Sequence, residues 1–272
     1  MKIALYNRDH NDGIEAVKKL LRERGAVLAC YGEDFQSWED LPADTGLFLS
    51  LGGDGTFLQS LTFVRDRGIP VAGINFGRLG FLTTARADEG ARWADDLLAG
   101  RYRVEERSLL HIASGTVPEG FYPYALNEVS FQRRGAGMLS LHVNLDGREL
   151  PPYWADGLVI ATPTGSTAYS LSVGGPLVMP DSEVMVIAPI APHNLNVRPL
   201  VVPMRSVLGI TVHAREGGSL LTLDNRSLPV ASGETVRLAR APFGLQYVSL
   251  SDDSFIGALR TKLYWGADKR NN

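Results

Sequence analysis

The chain of 272 residues carries one cysteine, five histidines and few clusters of like charge. A single thiol, Cys30, cannot build an internal disulfide framework, and its place in an expected strand over residues 26–30 makes it a buried thiol in a reducing compartment. His10, His111, His142, His193 and His213 are scattered without zinc-ligand spacing, so none is assigned to a metal. Long apolar runs are missing too: residues 184–191 form one of the longest, too short for a bilayer and interrupted by Pro189. Residues 1–6 read as a first strand rather than a signal peptide, so a cytoplasmic protein with no membrane partner is expected. There is no basic block or aromatic-rich basic stripe, and the formal net charge is -3, which argues against nucleic acid as a partner.

What is present is enough apolar material for real cores and a length suited to two domains. Over the first hundred residues, strand patterns at 2–6, 26–30, 47–51 and 71–74 alternate with helical patterns at 13–24, 57–65 and 88–99. That alternation predicts a doubly wound, Rossmann-like parallel sheet, an α/β domain. From about residue 102 the grammar changes to short strands: 108–114, 124–132, 139–145, 157–162, 184–190, 207–212, 219–223 and 235–239, with Asp146-Gly147 as a hairpin turn. These predict an all-β, sandwich-like second domain over residues 104–252. Residues 255–265 read as a closing helix, so the α/β domain is expected to comprise residues 1–103 and 253–272.

Gly52-Gly53-Asp54-Gly55-Thr56 occupies the turn between an expected buried strand and an expected helix. Such a turn aims backbone N–H groups and a helix N-terminus at one spot, and Gly52, Gly53 and Gly55 have no β-carbon to hold a phosphate away. Asp54 beside phosphates is unfavourable unless it meets a metal ion or the proton of an attacking hydroxyl. An ordinary turn or helix cap is the alternative use of the same residues. A second glycine-containing loop, residues 73–82, leaves the next strand at the same end of the sheet.

Residues 156–176 run from Asp156 through Thr162-Pro163-Thr164-Gly165-Ser166 to Gly174-Gly175-Pro176. Hydroxyls and amides at this density suit sugar hydroxyls and base edges, and Tyr169 offers a flat ring; a helix-capping turn is the competing reading. Asn127-Glu128 lies in the strand expected over 124–132, where alternation puts Asn127 on the face of Val129 and Phe131 and leaves its amide in need of a partner.

These pieces, in this order and with the terminal Leu259-Arg260-Thr261-Lys262-Leu263, resemble the NAD kinases through nearly the whole chain. The resemblance implies transfer of the γ-phosphate of ATP, or of another phosphoryl donor, to the adenosine ribose 2′-hydroxyl of NAD, with a divalent cation, Mg²⁺ or Mn²⁺. It implies a homodimer or homotetramer whose small-molecule partners are NAD and ATP. Asp54 matches the catalytic carboxylate that accepts or orients the hydroxyl proton, with Gly55 beside the substrate and Phe81 lining the pocket or the core. Asn127 and Glu128 are similar to adenine and ribose contacts. Thr167, Ala168, Tyr169, Ser170, Leu171 and Ser172 match the nucleotide-binding turn, and Asp156 and Ala191 further NAD contacts.

Two positions depart from the family pattern. Trp154 stands where many members carry a basic residue, and Asp224-Asn225-Arg226 where many have Asp-Gly-Gln, leaving Arg226 as either a phosphate contact or a solvated turn residue. A lipid kinase of the diacylglycerol or sphingosine type shares a glycine-aspartate loop. Those enzymes continue it with Asn and Glu, where this chain has Phe57-Leu58-Gln59. A phosphofructokinase-like sugar kinase lacks its basic cluster here, and a non-catalytic dinucleotide sensor would have little use for Asp54.

Overall fold

In the computed structural model, which describes residues 1–8, 13–77, 80–87, 91–114, 117–215, 217–250 and 255–266, the first apolar strands join into one sheet. Its order is Val27–Cys30, Lys2–Asn7, Thr45–Leu51, Val71–Asn75, Leu245–Leu250 and Tyr102–Arg107, with Ala85–Arg86 also paired to Val71–Asn75. Each neighbouring pair from Val27–Cys30 to Leu245–Leu250 is parallel. Parallel strands need cover on both faces. On one face, Ile14, Val17 and Leu21 of the Gly13–Glu23 helix and Trp93, Ala94 and Leu97 of the Arg92–Leu98 helix pack on Ile3, Leu5, Leu47 and Leu49. Strand alternation sends Phe48 and Tyr6 to the other face, where both rings meet Phe63 of the Asp54–Val64 helix. The sheet is therefore doubly wound.

The chain divides into two units, Met1–Glu106 with Leu245–Asn272 and Arg107–Gly244. Residues 245–250, expected in the second domain, instead form a strand of the first sheet: Tyr247 pairs with Val71, and Tyr247, Val248 and Leu250 are buried there. Of the helix expected over 88–99, Arg92–Leu98 is helical, and Asp88, Glu89 and Gly90 lie outside the described residues, as do Arg78 and Leu79 of the second loop and His10.

The second unit is two antiparallel sheets. One runs Arg148–Glu149, Leu139–Leu145, Leu208–Ala214, Thr235–Arg240, Leu110–Ser114 and Tyr124–Ala125, with Tyr153–Ala155 beside Leu139–Leu145. The other runs Leu200–Pro203, Val184–Ile190, Gly157–Ala161, Glu128–Arg133, Ser219–Leu223 and Arg226–Val230. Phe131, Leu158, Ile160 and Ile187 of the second sheet share one core with Leu141, Val143, Ile210 and Leu238 of the first. The turn at Asp146-Gly147 has both residues at positive φ, 50° and 85°, as an Asp-Gly hairpin requires.

The strand expected over 124–132 is two strands in different sheets. Tyr124–Ala125 pairs with Leu110–Ser114, and Glu128–Arg133 pairs with Gly157–Ala161 and Ser219–Leu223. Between them the N–H groups of Leu126, Asn127 and Glu128 turn to the carboxylate of Asp224 at 2.9, 2.8 and 3.2 Å. A carboxylate can gather three convergent donors, which a straight strand cannot present.

Candidate active site

The glycine turn is a strand-to-helix junction. Thr45–Leu51 ends at Gly52, Gly53 stands at the N-cap, and Asp54 is the first helical residue. The Gly53 carbonyl receives the N–H groups of Thr56 and Phe57, both at 3.0 Å, leaving Gly55 exposed at the helix start. Thr56 is buried, and a β-carbon at Gly52 would stand 2.9 Å from its Cβ.

Asp54 is half-buried, and both its oxygens are in use. Oδ2 accepts the Phe81 N–H at 2.7 Å and Oδ1 the Leu82 N–H at 3.0 Å, so the carboxylate fastens the second loop. Gly80 passes so close that a β-carbon there would overlap the carboxylate. Its N–H is tied to Thr83 Oγ1 at 2.9 Å and its carbonyl accepts from Lys262 Nζ, which also lies 4.8 Å from the centre of the half-buried Phe81 ring. Each carboxylate oxygen keeps a lone pair beyond these bonds. The structure thus joins Asp54, Phe81 and Lys262 in one cluster; no role for Lys262 was legible in the sequence, because 182 residues separate it from Gly80.

In the second unit Thr162 receives the opening of the polar run. Its N–H donates to the Asn127 carbonyl at 2.8 Å, its hydroxyl to the Leu126 carbonyl, and Oγ1 accepts the Gly165 N–H at 3.1 Å. A 3₁₀ turn, Thr164–Thr167, and a short helix, Tyr169–Ser172, follow. Ser166 is consumed structurally, exchanging hydrogen bonds with the backbone of Val178 at 3.0 and 3.2 Å. Thr167, Ala168, Tyr169 and Leu171 are half-buried, Ser170 is buried and Ser172 exposed. Tyr169 packs against Val159, Ala161, Val186 and Ala188 on the face of the six-stranded sheet opposite the main core.

Asn127 and Glu128 are 7% and 9% exposed, yet among the described residues Asn127 Oδ1 and Glu128 Oε2 have no hydrogen-bond partner. Buried polar atoms are rarely left so. Burial first, and the Asp224 charge second, push the Glu128 carboxyl up to about 8, while the Tyr169 N–H pulls it the other way. Burial also raises the Tyr169 phenol, helped by Glu128 and Asp156, so these three groups share one electrostatic neighbourhood.

Asp156 is half-buried and paired with Arg133 Nε at 2.9 Å. Ala191 is exposed at φ 44°, directly after the Val184–Ile190 strand, and Trp154 is 48% exposed. Arg226 is not a solvated turn residue: its side chain is 14% exposed. Its Nη1 donates to the Tyr122 carbonyl at 2.9 Å, its Nη2 to that of Tyr124, and Asp224 lies 3.6 Å away. Burial lowers its pKa, with Asp224 opposing.

Two family profiles match this layout. One described as the ATP-NAD kinase N-terminal domain covers residues 38–102, and one described as the ATP-NAD kinase C-terminal domain covers residues 126–250. The chain belongs to the NAD kinase family. It is 39% identical to the NAD kinase of Flavobacterium psychrophilum over 94% of this chain and 88% of that one. Against the NAD kinase of Cytophaga hutchinsonii the identity is 44%, over 83% and 77%. The fold is shared with yeast NADH kinase complexed with NADH, at a TM-score of 0.87 and 23% identity over 100% of this chain and 89% of that one. An NAD kinase from Archaeoglobus fulgidus in complex with ATP matches at a TM-score of 0.79 and 25% identity, over 96% and 99%. NAD kinase membership makes the protein a phosphotransferase and sets aside the lipid-kinase, sugar-kinase and sensor alternatives.

Among the described residues, the one group of His, Cys, Asp and Glu side chains close enough to share a metal is Cys30, Glu33 and Asp34. Ordinary structure accounts for it: Glu33 pairs with Lys18 at 2.8 Å, Asp34 accepts the Cys30 N–H at 2.7 Å, and burial raises the Cys30 thiol. No described helix is long and apolar enough to cross a membrane.

Proposed function

We propose that this NAD kinase transfers the γ-phosphate of ATP to the adenosine ribose 2′-hydroxyl of NAD, releasing ADP and NADP. The observation that carries the reading is the pair of buried, unpartnered oxygens, Asn127 Oδ1 and Glu128 Oε2. Acceptors of this kind suit the amine of an adenine and the vicinal hydroxyls of a ribose, and bound nucleotide removes the cost of leaving them unsatisfied. Asp156, Thr167, Ala168, Tyr169, Ser172 and Ala191 complete the dinucleotide contacts, with the Tyr169 ring as the flat surface.

Asp54 orients the attacking hydroxyl. As the oxygen–phosphorus bond forms and the bond to the ADP leaving oxygen breaks, the hydroxyl proton passes toward the carboxylate. The transition state of phosphoryl transfer is loose, so alignment and charge neutralisation matter more than a strong base. The two N–H bonds from Phe81 and Leu82 supply that alignment. Gly52, Gly53, Gly55 and Thr56 shape the phosphate turn.

A divalent cation, Mg²⁺ or Mn²⁺, fits this donor set. Mg²⁺ is usually held by one or two carboxylates and substrate phosphates, and Asp54 offers one carboxylate with lone pairs to spare. When bound, such an ion neutralises charge on the triphosphate. A cytoplasmic location accords with the lone, buried, unpaired Cys30. A homodimer or homotetramer accords with exposed Leu195, Leu200, Val201 and Met179, the middle two on the Leu200–Pro203 edge strand, and light scattering measures the assembly size.

The test incubates the protein with Mg²⁺ and ATP and, separately, NAD, NADH, diacylglycerol or fructose 6-phosphate. NADP is the expected product. Phosphorylation of a lipid or sugar with no NADP formed would sink the proposal.

A further inference from the structure

The Asp224 carboxylate is fully enclosed, although it belongs to the two-residue turn between Ser219–Leu223 and Arg226–Val230, where an aspartate ordinarily meets water. It collects the N–H groups of three consecutive residues, Leu126, Asn127 and Glu128. Its own N–H returns to the Glu128 carbonyl at 3.0 Å. Arg226 pairs with it and, through the carbonyls of Tyr122 and Tyr124, grips the chain just before the same corner.

Burying a carboxylate is costly even when paired, and a two-residue hairpin turn needs no such charge. The arrangement instead fixes a stretch of backbone that, among the described residues, bears two unpartnered buried oxygens, Asn127 Oδ1 and Glu128 Oε2. We propose that Asp224, fastened by Arg226, is a positioning residue for the dinucleotide: it shapes the corner at residues 126–128 so that Asn127 Oδ1 and Glu128 Oε2 stay unpaired and available to NAD. This rests on the reading of Asn127 and Glu128 as NAD contacts.

The charge of Asp224 has a second effect that a neutral clamp would lack. Among the described residues, Asp224 on the hairpin and Tyr169 on the short helix act on Glu128 directly, Asp156 acts on Tyr169, and Arg226 acts on Asp224 while lying over the Tyr122 ring. Of these, Asp224 is the group whose charge raises Glu128, after burial itself; burial raises the Asp224 carboxyl too, against Arg226 and the three N–H groups, so the two carboxyls titrate as a coupled pair. Glu128 must ionise to accept from ribose hydroxyls with both oxygens, so burial sets most of the pH below which NAD binding weakens and Asp224 raises it further.

The experiment compares Asp224→Asn, Arg226→Lys and Glu128→Gln by NAD saturation kinetics from about pH 6 to about pH 9, with folding followed by circular dichroism and thermal melting. Asp224→Asn is expected to raise KM for NAD about 10-fold or more, change kcat less than about 3-fold, and move the acid limb of 1/KM to lower pH. Arg226→Lys keeps the charge but loses the double carbonyl grip, so KM rises while the limb stays in place. A residue serving stability alone would lower the melting temperature and leave KM and the limb unmoved, which would overturn the proposal. Should Asp224→Asn not fold, KM in Arg226→Lys decides by the same criterion. An unchanged KM in Glu128→Gln would instead refute the NAD-contact reading itself, whereas a raised KM there with both other variants normal would refute positioning alone.

Discussion

Gly165 lies so close to the backbone of Asn127 that a β-carbon would overlap the Asn127 carbonyl oxygen. That carbonyl also accepts the Thr162 N–H, so the polar run and the Asn127 corner are locked together through main chain. Neither backbone can yield easily, because Leu126 and Asn127 are held from the other side by Asp224.

Gly165→Ala is therefore expected to destabilise the second unit by about 1–3 kcal/mol, the usual range for overpacking. It should also raise KM for NAD, since the corner bearing Asn127 must move. Thermal melting and saturation kinetics check this. A variant with wild-type melting and KM would show that the junction can open without loss.

Asp54→Asn removes the carboxylate and keeps one acceptor oxygen for two N–H donors. Turnover should fall by about 10²–10⁴-fold, the range for losing a positioned proton acceptor, with KM for NAD little changed. The structure adds a second readout: the Phe81 and Leu82 amide protons should exchange faster with solvent, because Asp54 is their acceptor. Unchanged turnover would remove Asp54 from the chemistry.

Gly80→Ala leaves every charged group in place but puts a methyl into the Asp54 carboxylate. A loss of kcat approaching that of Asp54→Asn is expected if the position of the carboxylate is what matters. Single-turnover rates make the comparison, and a kcat near wild type would mean that alignment of Asp54 is loose.

Glu128 is a carboxyl raised in the fold from 4.5 to about 8. Between those values the folded chain holds a proton that the unfolded chain has released, so its contribution to stability is complete below about 4.5 and is lost as pH rises through about 8. Glu128→Gln is neutral throughout. Its melting temperature relative to wild type should climb between about pH 5 and about pH 8 in the absence of nucleotide, as scanning calorimetry would record. A constant difference would mean that Glu128 ionises in the fold at its ordinary pH.

Some expectations were met because their cause is local. Leu139–Leu145, Val184–Ile190 and Ser219–Leu223 run where the strand patterns put them, and Asp146-Gly147 turns between its strands because that pair tolerates positive φ. The single strand expected over 124–132 failed for a non-local reason: the donors it would have given to a sheet go to Asp224, 96 to 98 residues away. The strand Leu245–Leu250 belongs to the first sheet only through its pairing with Val71–Asn75, a contact that no pattern within residues 245–250 encodes.

The sequence by itself determined the doubly wound character of the first unit, the β character of the second and the glycine turn around Asp54. Each is written in spacing and residue type, which act over a few positions. Tertiary structure alone decided what each polar group meets. It gave both Asp54 oxygens to the 80–82 loop, turned Arg226 inward, enclosed Asp224 and left Asn127 and Glu128 with oxygens unpaired. Burial and hydrogen-bond partnership arise from chain segments brought together over long separations, and those govern the cost and the use of a buried charge.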